Sequence, residues 1–220
     1  MRKMLRSVWE RHWCERRESI FEHVCSFYRK FLIANQLRFY IERYFPREGI
    51  FMEMGSGTCE SSVKIAKKNR TLGALDFSAT ALAIAKKNGI MHFYIQADIF
   101  SLPFKEESID GIWNVGVMEH FTEKELLQIL KEFNRVLRAG AHCILLWPWI
   151  IAPSHLLFST YERISRKLGT HIQVFPPSPS MFKHRKPIKD VLREAGFVDV
   201  KFHPPFFDLT HWVVVGRKIR

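Results

Sequence analysis

The chain has 220 residues, 47% of them hydrophobic, enough to bury a core and to make one domain the natural expectation. No window reaches the ~18 uninterrupted apolar residues of a membrane span, and the charged start "MRKMLRSVWERHWCERRES" lacks the ~7–15-residue apolar segment of a signal peptide. The net charge of +12 sits at the ends: residues 1–50 hold 11 Lys/Arg against 6 Asp/Glu, 51–150 hold 11 against 11, and 151–220 hold 12 against 5.

Such a field would steer an acidic partner: a carboxylate or phosphate substrate, an anionic lipid surface, or nucleic acid. Cys14, Cys25, Cys59 and Cys143 are scattered, with no C-x-x-C pair. They read as reduced thiols of a cytoplasmic protein.

In chain order, residues 17–45 place Ile20, Phe21, Val24, Phe27, Tyr28, Phe31 and Leu32 at spacings of three and four, with Arg16, Arg17, Arg29 and Lys30 mostly off that face. This stripe is expected to pack on its own domain; the alternative is a basic amphipathic helix making peripheral contact with a membrane. From residue 50, strand-like and helix-like pieces alternate. "GIFMEM" predicts strand one, 59–69 a helix, and "TLGALD" strand two. Ser78 then caps a helix that ends at Gly89. "MHFYIQ" predicts strand three and "IDGIWNV" strand four, followed by a helix from the Thr122 cap to about Arg138. "AHCILLWPW" is apolar enough for a buried central strand five. After an interruption over 149–185, with an amphipathic stretch at 155–168 and the proline-rich "FPPSPSMF", come a short helix "KPIKDVLREAGF" and two strands, "VDVKFH" and "HWVVVGRK".

This pattern predicts an α/β, Rossmann-like doubly wound sheet of about seven strands, mostly parallel with an antiparallel edge. Residues 1–49 would form an N-terminal helical cap. Residues 50–220 would form the ligand-binding domain, with 149–185 as a substrate-side insertion or lid.

In open α/β sheets the ligand sits beyond the carboxyl ends of the strands, and "FMEMGSGTCESS" puts Gly55 and Gly57 there. Lacking Cβ, they let a ligand approach the backbone. Asp76, ending strand two about twenty residues on, is placed to accept from ribose hydroxyls. Glu60 holds the third-glycine position of a dinucleotide motif, where a carboxylate would repel a diphosphate. S-adenosylmethionine has no phosphate and a net positive charge, which suits a pocket edged by Glu53, Asp76 and Asp98.

Four ordered segments, "MEMGSGTCESS", "LGALDFSATALAIAKK", "FYIQADIFSLPFKEESIDGIWNVGVMEHF" and "EFNRVLRAGAHCILLWP", resemble the successive motifs of class I S-adenosylmethionine-dependent methyltransferases. The ubiquinone/menaquinone-biosynthesis-like, small-molecule subgroup is the nearest in pattern. The resemblance implies that Glu53 and the backbone of Met54, Gly55, Ser56 and Gly57 hold the methionine part of the cofactor. It implies that Asp76 binds the ribose, with Phe77 flanking the adenine. Asp98 would accept from the adenine amino group, the Ile99 backbone would contact the ring, and Asn114 and Val115 would line the floor near the sulfonium. The family usually reads G-x-G-x-G, and Cys59 stands at the last glycine, a departure expected to lower cofactor affinity.

Methyl transfer needs alignment above all, and a base only where the acceptor must lose a proton. His120, just past strand four, is the candidate base, with Glu119 to orient an acceptor. Trp147, Trp149, Phe158, Tyr161, Phe175 and Phe182 could wall an acceptor pocket, and His155, His171, His184 and Arg185 could supply polar contacts. A small-molecule methyl acceptor, acidic or amphipathic, is the expected partner. RNA is the alternative, although "WNVGVMEH" lacks the Asn/Asp-Pro-Pro-aromatic turn that grips a flipped base. A nicotinamide oxidoreductase and a catalytically silent protein of the same fold remain the readings from other classes.

Overall fold

The computed structural model describes residues 2–14, 20–152, 160, 163 and 178–219. Its seven strands are β1 Gly49–Met54, β2 Arg70–Asp76, β3 Phe93–Gln96, β4 Ile109–Val115, β5 Leu137–Pro148, β6 Phe197–His203 and β7 His211–Lys218. The helices are α1 Arg2–Cys14, α2 Ile20–Tyr28, α3 Ala34–Tyr44, α4 Ala79–Asn88, α5 Glu123–Val136 and α6 Arg185–Glu194. The strands make one sheet in the order β3-β2-β1-β4-β5-β7-β6. β1 to β5 pair in parallel, and β7 runs antiparallel to both β5 and β6.

Apolar side chains from both faces of this sheet form two cores, as a doubly wound sheet requires. Met52, Ile112, Leu145 and Trp147 meet Phe133 of α5 and Leu192 of α6. On the opposite face Phe51, Leu72, Trp113 and Ile144 meet Leu37 of α3 and Leu82 of α4. Strand five is buried as its composition predicts: Cys143, Ile144, Leu145, Leu146 and Trp147 are all at most 1% exposed.

Local signals set the element ends. The Ser78 hydroxyl accepts from Ala81 N and Gly89 takes φ 62 at the far end of α4. Thr122 and Glu125 form the capping box that opens α5.

Two expectations fail. Residues 59–69 do not form a helix: only a single 3-10 turn, Glu60–Ser62, follows the glycines. Cys59 and Asn69 bracket the stretch with φ of 60 and 61, and left-handed backbone at both ends stops helix propagation. Second, the stripe over 17–45 faces outward. Val24, Phe27, Phe31 and Leu32 are exposed, whereas Ile33, Leu37, Tyr40 and Ile41 are buried. The helix is apolar on two faces, and a π-helical turn at Arg29–Ile33 shifts the register between them. The side chains of Arg16, Arg17, Ile20 and Phe21 lie outside the described residues, as does most of the 155–168 stretch. α1 falls within residues 1–49, where a helical cap is expected. Its signal is legible in Leu5, Val8, Trp9 and Trp13, which stand at helical spacing.

Strand order reverses between β1 and β4, which opens a crevice at their carboxyl ends. Because β7 starts opposite Pro148, the β6–β7 loop lies at this same edge. α3 leads down to the start of β1, so α2 sits at the crevice end of the molecule.

Candidate active site

The turn after β1 is fastened to β2. The N–H groups of Gly55 and Ser56 both donate to the Leu75 carbonyl, at 2.8 and 3.1 Å. Gly55 and Gly57 take φ of 70 and 50. A Cβ on Gly55 would lie 2.8 Å from a Val117 methyl, so close packing as well as backbone conformation demands glycine there.

Asp76 faces this turn and is buried. Its Oδ2 accepts from Gly57 N at 2.8 Å and its Oδ1 from Ser78 N at 2.9 Å. Burial pushes its carboxyl up, against the pull of those two N–H groups, and Glu10 nearby adds to the rise. The carboxylate, with about four acceptor positions, keeps capacity for a further hydroxyl donor.

Glu53 points inward rather than along the crevice edge. Ser62 Oγ donates to its Oε2 at 2.9 Å, and Trp113 Nε1 donates to that same hydroxyl at 3.1 Å. Burial pushes its carboxyl up to about 8. Met54 is wholly buried in the core, so its backbone alone can reach the crevice. Beyond β3, Asp98 accepts from Phe100 N at 3.1 Å and pairs with Arg6 of α1. Ile99 is buried beside it, and Phe77 is half-buried beneath the Arg6 guanidinium.

At the end of β4 the side chain of Asn114 is fully buried, yet neither its Nδ2 nor its Oδ1 has a hydrogen-bond partner among the described residues. The same holds for Oε2 of Glu119, which follows the left-handed turn at Gly116. Buried polar atoms normally find partners, which water or a polar ligand would supply here. Val115 is half-buried next to Asn114. His120 is buried, with Nδ1 3.3 Å from Ser178 Oγ and Nε2 3.5 Å from Glu119 Oε1. The crevice thus gathers Asp76, Asp98, Asn114, Glu119 and His120, with Glu53 one layer behind.

One face of α1 spans these residues. Arg6 meets Asp98, Trp9 packs edge-on against His120 at 5.3 Å, Glu10 acts on Asp76, and Trp13 covers Gly57. The Trp13 ring lies 3.1 Å from where a Cβ of Gly57 would stand. Nothing in the motif spacing signals this cover.

The charge argument drawn from Glu60 is overturned. Its buried carboxylate accepts from Ser26 Oγ at 2.8 Å and Arg29 Nε at 2.6 Å, with Lys30 at 3.6 Å. Cations from the helix above answer its charge, so it would not repel a diphosphate.

A cavity of about 550 Å³ opens further along the same edge, lined by Trp149, Phe182, Lys183, His184, Arg185 and Trp212. Phe182 stacks on Trp212 at 4.9 Å, and the Arg185 guanidinium lies 4.8 Å above the Trp212 ring. The Trp212 indole N–H is buried without a partner among the described residues. Trp212 was missed as a wall residue because it sits inside a strand pattern. Trp147, expected in the wall, is instead a core side chain whose Nε1 donates to Ser180 O at 2.6 Å. Phe158, Tyr161, Phe175, His155 and His171 lie outside the described residues.

Residues 52–145 match the "Methyltransferase domain" family. A mouse "Probable tRNA methyltransferase 9B" is 29% identical over 111 residues, which is 50% of this chain and 24% of that protein. A "Probable S-adenosylmethionine-dependent methyltransferase" from Mycobacterium tuberculosis is 27% identical over 158 residues, 70% of this chain and 52% of that one. The chain therefore spans about a quarter of the first relative and about half of the second. Among solved structures, a SAM-dependent methyltransferase from Thermotoga maritima superposes with a TM-score of 0.64 at 20% identity, covering 96% of this chain and 99% of that one.

Proposed function

We propose that this chain is a class I S-adenosylmethionine-dependent methyltransferase that methylates a small molecule of acidic or amphipathic character, a reading supported by the methyltransferase-domain match over residues 52–145 and by the likeness to the Mycobacterium tuberculosis relative. The observation that carries this reading is the open cavity of about 550 Å³, in the size range of small-molecule sites, whose lining brings Trp149, Phe182 and Trp212 together with Lys183, His184 and Arg185. Aromatic and cationic side chains lining one cavity fit a molecule with a carboxylate and an apolar body.

The crevice suits the cofactor in two respects. Its glycine turn admits a ligand to bare backbone, and the unpaired Asn114 amide and Glu119 Oε2 await a polar, cationic group. Asp76 would hold the ribose through its remaining acceptor capacity, Asp98 the adenine amino group once Arg6 lets go, and Glu53, from one layer behind, would act electrostatically on the ammonium end. Phe77, Ile99 and Val115 would bound the adenine and the floor. The bound cofactor supplies a methyl carbon with its leaving group already attached. The chain's own task is to align the acceptor with that carbon and to exclude water. Where the acceptor is a hydroxyl, His120 takes its proton, with the Glu119 carboxylate 3.5 Å from Nε2 to orient the ring.

His120→Ala is accordingly expected to lower kcat roughly 10²–10⁴-fold on a hydroxyl acceptor while leaving S-adenosylhomocysteine affinity unchanged. Equal kcat in both proteins would confine the histidine to packing. A second expectation concerns α1, which must move before a ligand can reach Gly57. Deleting residues 1–14 should speed S-adenosylhomocysteine association about tenfold in stopped flow, as for a site uncovered a tenth of the time. An unaltered rate would mean that α1 does not gate the crevice.

The acceptor class is tested by supplying methyl-labelled S-adenosylmethionine with a panel of aromatic and fatty carboxylic acids and, separately, bulk tRNA. Label in solvent-extractable product supports the reading; label in ribonuclease-sensitive material sinks it. RNA is the second reading, favoured by the likeness to the tRNA methyltransferase relatives and by the net charge of +12. It would show a steep fall of binding with salt.

A further inference from the structure

The outward apolar stripe of α2 is part of a larger surface. Val24, Phe27 and Phe206 are 61%, 59% and 75% exposed, and Phe31, Phe39 and Leu209 are exposed with them. Phe27 stacks on Phe31 at 4.4 Å, Phe39 meets Phe207 at 6.2 Å, and Phe207 meets Phe206 at 5.0 Å. Exposed apolar clusters of this kind are rare on a surface that meets only water.

The fold holds this cluster out rigidly. Gln36, buried in α3, accepts from the N–H groups of Phe206 and Phe207, both at 3.1 Å, and donates to Asp208 Oδ1 at 3.3 Å and His211 O at 2.9 Å. The Tyr28 hydroxyl donates to Asp208 O. Buried polar groups thus pin the β6–β7 loop to the helix while its phenylalanines project.

The surroundings are cationic. Arg38, Arg43 and Lys64 flank the phenylalanines, and none is in an ion pair among the described residues. The nearby carboxylates Glu22 and Glu42 are each taken by an arginine, Arg29 and Arg70. We infer that this face docks on an anionic lipid bilayer, with the phenylalanines in the interface and the cations against the headgroups. A second copy of the chain is the poorer occupant, because a two-fold contact would set one cationic rim against another. No helix among the described residues is long and apolar enough to cross a membrane.

The docking does not depend on the methyl-transfer reading, but it would deepen it. Leu209 O accepts from Trp149 Nε1 at 3.2 Å, so the projecting loop is bonded to the wall of the aromatic cavity. An amphipathic acceptor could pass from the bilayer into that cavity without crossing water.

Co-sedimentation of the full chain with phosphatidylcholine vesicles, with and without phosphatidylglycerol, tests the docking. The chain should pellet with the anionic vesicles, scarcely with the neutral ones, and less as salt rises. The paired variants Phe27→Ser/Phe31→Ser and Phe206→Ala/Leu209→Ala should each weaken binding roughly tenfold or more. Both alter exposed side chains and should melt like the native protein. Arg38→Glu/Arg43→Glu should remove the preference for anionic lipid. Absence of binding to either vesicle overturns the inference. So does a dimer that the phenylalanine variants dissociate, or RNA binding lost by those variants in a chain that ignores vesicles.

Discussion

Asp76→Ala is expected to weaken S-adenosylhomocysteine binding by roughly 10²–10⁴-fold, since two hydroxyl bonds to a charged acceptor contribute about 1.5–3 kcal/mol each. The same substitution strips the partner from Gly57 N and Ser78 N, which Asp76 holds at 2.8 and 2.9 Å. A stability loss of about 2–4 kcal/mol should accompany it, because both N–H groups are left without an acceptor. Asp76→Asn separates the two effects. It keeps one acceptor oxygen and most of the shape, so it should melt closer to the native protein yet still bind poorly. Calorimetric affinity within threefold of native in Asp76→Ala would reduce this residue to a staple for the glycine turn.

Legibility followed the range of the signal. β4 and β7 occupy Ile109–Val115 and His211–Lys218 as expected, because an apolar run bounded by breakers is a local property. The Ser78 and Thr122 caps are equally local. The face of α2 was not legible. Phe27 and Tyr28 are adjacent and both aromatic, and only the partners of Tyr28 on the distant β6–β7 loop decide which one turns inward. Glu60 misled for the same reason: its arginine is 31 residues away in sequence and on another element. The positions of the glycine turn and of Asp76 beside it were readable from spacing. The use of Asp76 by the backbone, the inward turn of Glu53 and the cover of α1 are tertiary facts with no local marker.

Glu53→Gln is expected to make the protein more stable and a weaker binder of its cofactor. The Glu53 carboxyl is pushed up to about 8 by burial, from an ordinary value near 4.5. Between those values the folded chain keeps a proton that the unfolded chain has released. Stability from this group is therefore greatest at low pH and declines as pH rises through the window toward 8. Glutamine mimics the protonated acid, can still accept from Ser62 Oγ, and never ionises. Its variant should gain roughly 2–4 kcal/mol at pH 7 to 8, where each unit of displacement counts for about 1.4 kcal/mol. The gain should vanish near pH 4.5. Binding should move the other way. A cationic ammonium favours the ionised carboxylate, so native affinity should climb up to tenfold per pH unit below 8. Calorimetry in buffers of different ionisation enthalpy should then register close to one proton released near pH 7. In Glu53→Gln the affinity should be lower and flat over this range, with no such release. A pH-independent native affinity would remove Glu53 from the cofactor's reach and leave the buried carboxyl as a cost in stability with no return in binding.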